Sequence, residues 1–101
     1  MAQEEHVYGE VDNKMDLKEV YSEIRDDVKN ADSRDRLTEL YRRAGYLITL
    51  THAASWEDKF GDRIDDIRST AEEEFSKTVR TINGQAESIG TEADYDENWG
   101  D

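Results

Sequence analysis

Residues 44–54 read AGYLITLTHAA and carry no formal charge, in a chain of which 39% of the residues are charged. Their apolar side chains fall at helical spacing rather than in alternation, which indicates a helix. One stripe of this helix contains Leu37, Leu40, Tyr41, Ala44, Leu47, Ile48 and Thr51. A second stripe beside it contains Tyr46, Leu50 and Ala53. Because two stripes make a wide apolar arc, we predict a central helix that contacts neighbours on two sides.

Amphipathic helices are predicted on both sides of this stretch. The first spans 14–30, with Asp12 or Asn13 as its N-cap and an apolar stripe at helical spacing. That stripe contains Leu17, Val20, Tyr21, Ile24 and Val28. The central helix spans 33–53 and is capped by Asp32 or Ser33. The link between them is short, which favours antiparallel neighbours.

The third helix is predicted over 56–83. Its stripe continues from Trp56 through Phe60, Ile64, Ile67, Ala71, Phe75, Val79 and Ile82. A turn near 54–56 is favoured because residues 55–58 resemble a capping box, and Gly61 followed by Asp62 offers a competing turn at 60–62. Asn83-Gly84 is a C-cap signal that predicts the end of this helix.

The fold class follows as all-α, a three-helix antiparallel bundle of residues 14–84 with flexible termini. Residues 1–13 lack a periodic apolar pattern, which predicts a loose N-terminal arm. Residues 85–101 contain six acidic residues and no basic one. Because such a segment offers little apolar surface to bury, we predict a disordered acidic tail.

Composition excludes several classes of function. The chain has no Cys, which excludes disulfides and thiolate metal sites. Its apolar runs are far shorter than the roughly 18 residues of a membrane span, so we expect a cytoplasmic protein without membrane contact. Its 26 acidic residues against 13 basic ones give a net charge of −13. That balance disfavours direct nucleic-acid binding, which needs cationic surface.

The same balance resembles the composition of haloarchaeal proteins, which are rich in Asp and Glu and poor in Lys. The acids divide into 13 Asp and 13 Glu, and only 5 of the basic residues are Lys. The resemblance is compositional and implies adaptation to molar salt, where the Debye length falls to about 3 Å and self-repulsion is screened.

No catalytic, cofactor or metal site is predicted. His52 has Ile48 and Thr49 at the positions where a di-metal bundle would place Glu, so we interpret it as a structural residue. Glu23 with Asp26, and Asp62 with Asp65, have the spacing that all-α, Mg²⁺-dependent nucleotide pyrophosphohydrolases use. These acids lie away from the apolar stripes, so an enzyme of that kind is a minor hypothesis.

The leading hypothesis is therefore a small non-catalytic interaction or structural module that forms a homodimer. A chain this short buries a limited core, and pairing two copies would bury more. The predicted self-association surface contains Tyr46, Leu50, Ala53 and Trp56. An alternative from another class is an acidic mimic of nucleic acid that inhibits a DNA-binding protein, which would require carboxylates lined up on one face.

Overall fold

The computed structural model describes residues 11–92 and 94–97. It contains four helices: α1 (Lys14–Lys29), α2 (Arg34–Thr51), α3 (Ala54–Phe60) and α4 (Ile64–Ser88). A 3₁₀ turn, Gly61–Arg63, joins α3 directly to α4. The described residues form no strand, and the prediction of an all-α fold is confirmed.

Both long N-terminal helices begin at a side-chain cap. The Asn13 side chain accepts a hydrogen bond from the Asp16 N–H at 3.0 Å, and the Ser33 hydroxyl accepts one from the Arg36 N–H at 3.2 Å. Each cap satisfies an N–H that the first turn of a helix leaves without a partner. Of the two candidate caps at each start, the structure uses the one that directly precedes the helix.

The chain turns at both of the positions considered between the second and third predicted helices. Helix α2 ends at Thr51 with His52 as its C-cap, and α3 begins at Ala54. The second turn lies at Gly61, whose φ of +55° belongs to a region that other residues avoid. The single helix predicted over 56–83 is therefore two helices of the structure.

One hydrophobic core joins all four helices. Its buried members are Val11, Leu17, Tyr21, Ile24, Val28, Ala31, Leu37, Leu40, Ala44, Leu47, Ile48, Trp56, Phe60, Ile67, Ala71, Phe75, Val79, Ile82 and Ala86. The short helix α3 contributes Trp56 and Phe60, whose ring centroids lie 5.4 Å apart. Most of these residues come from the predicted stripes, because a helical stripe has to face the core wherever the helix packs.

Polar contacts fix the long helices against one another at both ends. Lys14 of α1 pairs with Asp66 of α4 at 3.4 Å, and the Gln85 side chain of α4 donates to the carbonyl of Ala31, just beyond α1, at 2.8 Å. Between α1 and α2, the buried Tyr21 hydroxyl donates to the Ala44 carbonyl at 3.0 Å. The side chain of Arg68 in α4 donates to the Thr51 carbonyl of α2 at 2.8 Å.

The end of the predicted N-terminal arm is attached to this bundle. Val11 is 1% exposed, and its carbonyl accepts a hydrogen bond from the Lys59 ammonium at 2.6 Å. Lys59 also pairs with Asp12 at 3.2 Å. These contacts correct the predicted loose arm at residues 11–13, while the rest of the arm, residues 1–10, lies outside the described residues.

The structure also corrects the predicted end of the last helix, which continues past Asn83-Gly84 to Ser88. The chain leaves the helix at Gly90, whose φ is +80°. There the Thr91 N–H donates to the Ala86 carbonyl at 2.9 Å, and the Gly90 N–H donates to the Glu87 carbonyl at 3.1 Å. This pattern ends helices at a left-handed glycine. Residues 85–88 of the predicted disordered tail are thus helical.

Substitution by Ala at the two glycines near this helix end should change the free energy of unfolding in opposite directions. We expect Gly84→Ala to raise the free energy of unfolding by about 0.5–1 kcal/mol, because Ala is the better helix former and nothing lies within 4 Å of the added Cβ. Gly90→Ala should lower it by about 1–2 kcal/mol, because an L-residue is strained at this φ. Urea titrations followed by circular dichroism measure both, and an equal response of the two variants would contradict this helix end.

Candidate functional site

Three of the four residues predicted for self-association lie at or near the surface of the bundle. Tyr46 is 37% exposed, and Leu50 and Ala53 are half-buried. Leu50 follows Tyr46 by four residues and lies on the same side of α2, and Ala53 lies in the turn between α2 and α3. Trp56 is a correction: at 7% exposure it belongs to the core of its own chain, because it packs against Phe60 of the same short helix.

An open groove with a volume of about 680 Å³ adjoins Tyr46. Its lining consists of Asp35, Thr38, Glu39, Arg42, Arg43 and Tyr46. Arg43 pairs with Glu39 at 3.5 Å within α2 and with Asp27 of α1 at 3.8 Å. The charges around Tyr46 are therefore of both signs, although the chain as a whole is strongly acidic.

A second surface feature was not predicted: residues 94–97, which we call the tail segment, lie against α2 and α4. The Asn83 side chain makes two hydrogen bonds to the backbone of Tyr95. Its nitrogen donates to the Tyr95 carbonyl at 3.1 Å, and its oxygen accepts from the Tyr95 N–H at 2.9 Å. The Asn83 side chain, which the sequence predicts at the end of the helix, is thus hydrogen-bonded to the tail segment.

The ring of Tyr95 continues an aromatic series that begins in the core. It stacks on Tyr41 with centroids 4.6 Å apart and an interplanar angle of 29°, and Tyr41 in turn lies 5.8 Å from Phe75. The hydroxyls of Tyr95 and Thr38 share a hydrogen bond, and the Tyr41 hydroxyl donates to the Asp96 carbonyl at 3.0 Å. An aromatic ring thus connects the tail segment to the buried face of α4.

The environment of Tyr41 raises its pKa, first through burial and then through the negative charge of Asp96 and the neighbouring Tyr95. All three causes disfavour the phenolate. The contribution of Tyr41 to the free energy of unfolding is fully present below its pKa in the unfolded chain, which is about 10. It is lost as the pH rises through the higher pKa of Tyr41 in the folded protein.

Glu97 anchors the other end of the tail segment to α4. Its carboxylate accepts a hydrogen bond from the Ser76 hydroxyl and a second from the Arg80 guanidinium at 3.0 Å. The hydrogen bond from Ser76, then that from Arg80, lowers the pKa of Glu97. Residues 95–97 of the predicted acidic tail are therefore held by specific partners on α2 and α4, and the Glu97 carboxylate is part of that attachment.

A buried ion pair lies between α1 and α4. Glu74 is 4% exposed and pairs with Arg25 of α1 at 3.1 Å. Arg25 also donates to the Thr78 hydroxyl at 3.2 Å, and Thr78 donates to the Glu74 carbonyl at 2.8 Å. Lys77 adds a second cation to Glu74 at 3.2 Å. Each charge has a partner, as burial requires.

The residues considered in the sequence for catalysis or metal binding lie at the surface. Glu23, Asp26, Asp62 and Asp65, which have pyrophosphohydrolase spacing, are all exposed. Within residues 11–92 and 94–97, no three side chains of His, Asp or Glu come together as a metal ion would need. His52 is exposed at the end of α2. None of the described helices combines the length and the apolar character needed to cross a membrane.

Cations are interspersed among the surface acids. Lys14 pairs with Asp66, Arg36 with Glu39 at 2.8 Å, and Arg68 with Glu57 at 3.1 Å. A nucleic-acid mimic requires a run of carboxylates without cations between them. These ion pairs give that hypothesis no support.

The chain matches no protein-family model, no curated protein and no solved structure.

Proposed function

We propose that this chain is a small non-catalytic interaction module of the cytoplasm, adapted to high salt, which acts as a homodimer. The observation that carries the proposal is the exposure of Tyr46 within the uncharged residues 44–54. Only Met15 and Tyr46 are exposed large apolar side chains in the part of the chain that the structure describes. Tyr46 alone of the two has an apolar neighbour one turn further along its helix, Leu50.

The proposed architecture is a three-helix bundle in which consecutive long helices are antiparallel. Support comes from the contacts at the helix ends. Lys14 and Ala31 bracket α1, and their partners Asp66 and Gln85 occur in the same order along α4. Thr51, at the end of α2, contacts Arg68 near the start of α4. This order supports parallel α1 and α4, which pack directly against each other, with α2 running in the opposite direction and contacting both.

A dimer through the Tyr46 surface fits the physics of symmetric interfaces. A two-fold axis would bring the same patch of each copy together, so that Tyr46, Leu50 and Ala53 pack against their equivalents. Tyrosine supplies a large contact area at low entropic cost and is enriched at interface centres. The rim contains both Arg42 and Glu39, so each copy offers complementary charges to the other.

High salt enters the proposal because two copies would bring 26 net negative charges together, twice the −13 of one chain. Long-range repulsion of this kind is weak where the Debye length is about 3 Å and strong in dilute buffer. The supporting observation is compositional, namely the excess of Asp and Glu over Lys and Arg.

The dimer is tested by light scattering after size exclusion in about 1 M KCl. We expect twice the chain mass of 11.7 kDa for the unaltered protein. Tyr46→Glu should weaken the dimer by about 2 kcal/mol, roughly 30-fold in Kd, because it removes the central aromatic and adds like charge. Met15→Glu is the matched control, because Met15 is the other exposed large apolar side chain, lies on α1 and does not line the groove beside Tyr46, so the substitution should leave the mass unchanged. A monomeric mass for the unaltered protein would overturn the dimer.

Salt adaptation predicts a thermal midpoint that rises with KCl. Between about 50 mM and 1 M KCl we expect a gain of at least about 4–8 °C, which corresponds to about 1 kcal/mol in a domain of this size. The double variant Glu72→Lys with Glu73→Lys should show a shallower rise, because both carboxylates are exposed and the substitution reduces the net negative charge. Full helicity and an unchanged midpoint at low salt would contradict the proposal.

A further inference from the structure

The tail segment occupies a site built entirely from side chains of α2 and α4. This α2/α4 groove consists of Thr38, Tyr41, Ser76, Arg80 and Asn83. Every one of these side chains makes a hydrogen bond to the tail segment, and Tyr41 also provides a stacking surface. Five side chains from two helices thus converge on three consecutive residues, Tyr95, Asp96 and Glu97.

The central contact of the groove recognises peptide backbone rather than a particular side chain. Asn83 gives Tyr95 both a donor and an acceptor, the same pair of hydrogen bonds that a neighbouring β-strand would supply. Tyr41 contributes a third backbone contact through the Asp96 carbonyl. Contacts of this kind are open to any extended segment that can approach α4, because they do not depend on sequence.

Two side chains of the tail segment add sequence preference. Tyr95 stacks on Tyr41 and reaches Thr38, while Glu97 meets Ser76 and Arg80. The groove therefore selects an aromatic residue and, two positions later, a carboxylate.

We propose that the α2/α4 groove is a binding site for an extended acidic peptide of a partner protein that contains Tyr-x-Glu, and that residues 94–97 are its tethered occupant. The inference deepens the proposed interaction function and rests on it, but it uses a surface that does not include Tyr46. The tail segment blocks the groove until a partner with the same chemistry displaces it.

Displacement is physically accessible. The chain leaves α4 at Gly90 and reaches Tyr95 only five residues later, which gives the tethered segment an effective concentration in the millimolar range. The contacts of Asp96 and Glu97 are all exposed hydrogen bonds, which contribute little to stability and open locally at low cost. A partner peptide therefore competes with an intramolecular ligand that contacts the hydrophobic core through Tyr95, and the tyrosine of the partner would replace that contact.

The test uses the full chain and a fluorescent peptide with the sequence of residues 91–97, followed by fluorescence anisotropy. The variant Tyr95→Ala removes the stacking ring from the tethered segment, which weakens its competition for the groove, while keeping all five groove residues. We expect saturable binding to this variant and at least about tenfold weaker binding to the unaltered chain, where the tethered segment competes. Adding Asn83→Ala to Tyr95→Ala should abolish binding. A peptide with Tyr95→Ala should not bind.

A charge exchange provides a second test that leaves every aromatic residue in place. Arg80→Glu repels the Glu97 of its own tail, and the Arg80 side chain is 67% exposed, so the fold should tolerate the change. This variant should bind the peptide carrying Glu97→Arg in preference to the unaltered peptide, and the original chain should show the reverse preference. If both chains show the same preference between the two peptides, the assigned contact between Arg80 and Glu97 is wrong.

The outcomes separate this inference from the proposed dimer. Absence of peptide binding to Tyr95→Ala, with helicity retained by circular dichroism, overturns the groove whatever the mass of the protein. Equal binding with and without Asn83→Ala also overturns it. A dimer that becomes a monomer on Tyr95→Ala would mean that tail segments exchange between copies, and it overturns the assignment to a partner protein. A dimer that depends on Tyr46 and not on Tyr95 leaves the two surfaces independent.

Discussion

Arg25→Ala should lower the free energy of unfolding by about 3 kcal/mol, the size expected when one partner of a buried ion pair is removed. Glu74 would keep its burial and lose its closest cation, since its side chain is only 5% exposed. Lys77 compensates in part, although its own side chain is 59% exposed and much of its charge is screened by solvent. Urea denaturation followed by circular dichroism in a fixed KCl concentration measures the loss.

Two further variants show whether the lower stability of Arg25→Ala comes from the unpaired charge of Glu74. The double substitution Arg25→Met with Glu74→Leu should return stability to within about 1 kcal/mol of the original, because well-packed apolar side chains can replace a buried ion pair. Arg36→Ala is the exposed control, since its ion pair with Glu39 lies at the surface and should contribute less than about 1 kcal/mol. A cost below about 1 kcal/mol for Arg25→Ala would mean that water reaches Glu74 in the folded protein.

The sequence was sufficient for features that depend on local periodicity. The stripe residues Leu17, Tyr21 and Val28 of α1 are all buried, as are Leu37, Leu40 and Leu47 of α2. A helix that packs against a core has to bury the residues on one face, and those residues recur at fixed spacing in the sequence. The caps at Asn13 and Ser33 were also among the candidates, because a cap is a contact between residues three positions apart.

Features that depend on distant contacts could not be predicted in this way. Asn83-Gly84 has the local form of a helix end, but Asn83 bonds to Tyr95, Gly84 stays helical and the left-handed glycine is Gly90. A hint was present in Ala86 and Ile89, which continue the apolar stripe beyond Gly84. Helix propensity alone does not show whether the helix ends at Gly84 or at Gly90, because the end depends on the apolar surface that the residues after each glycine can bury.

The tail segment and the buried ion pair were missed for the same reason. An acidic composition predicts disorder only if the segment has no cationic or aromatic partner, and Arg80 and Tyr41 supply both from helices far away in sequence. The sequence pattern assigns Arg25 to the polar face of α1, because charge is usually solvated. Its partner Glu74 lies between the buried residues Ala71, Phe75 and Thr78 of α4, which was the signal available in the sequence.

Phe75→Ala should have the largest effect of the variants considered, a loss of about 3–5 kcal/mol in the free energy of unfolding. Phe75 is 1% exposed, and its removal leaves a cavity between α4 and the ring of Tyr41. Because small domains are only marginally stable, this variant should lose cooperative melting in low salt. Phe75→Leu should cost less, about 1–2 kcal/mol, and remain folded for the measurement that follows.

The Phe75→Leu substitution should also loosen the tail segment, because Phe75 supports the ring on which Tyr95 stacks. Burial is the first cause of the raised pKa of Tyr41, so water entering beside the smaller leucine side chain should bring this pKa down toward its ordinary value. An alkaline titration of tyrosine absorbance measures the shift. Leu17→Ala is the matched control, because it removes a buried side chain near the Lys14–Asp66 end of α1 and should destabilise the fold without moving the pKa of Tyr41. If both variants shift the pKa of Tyr41 equally, the core and the tail segment are coupled only through global stability. The contacts of Phe75 with Tyr41 and of Tyr41 with Tyr95 would then have no specific role in that coupling.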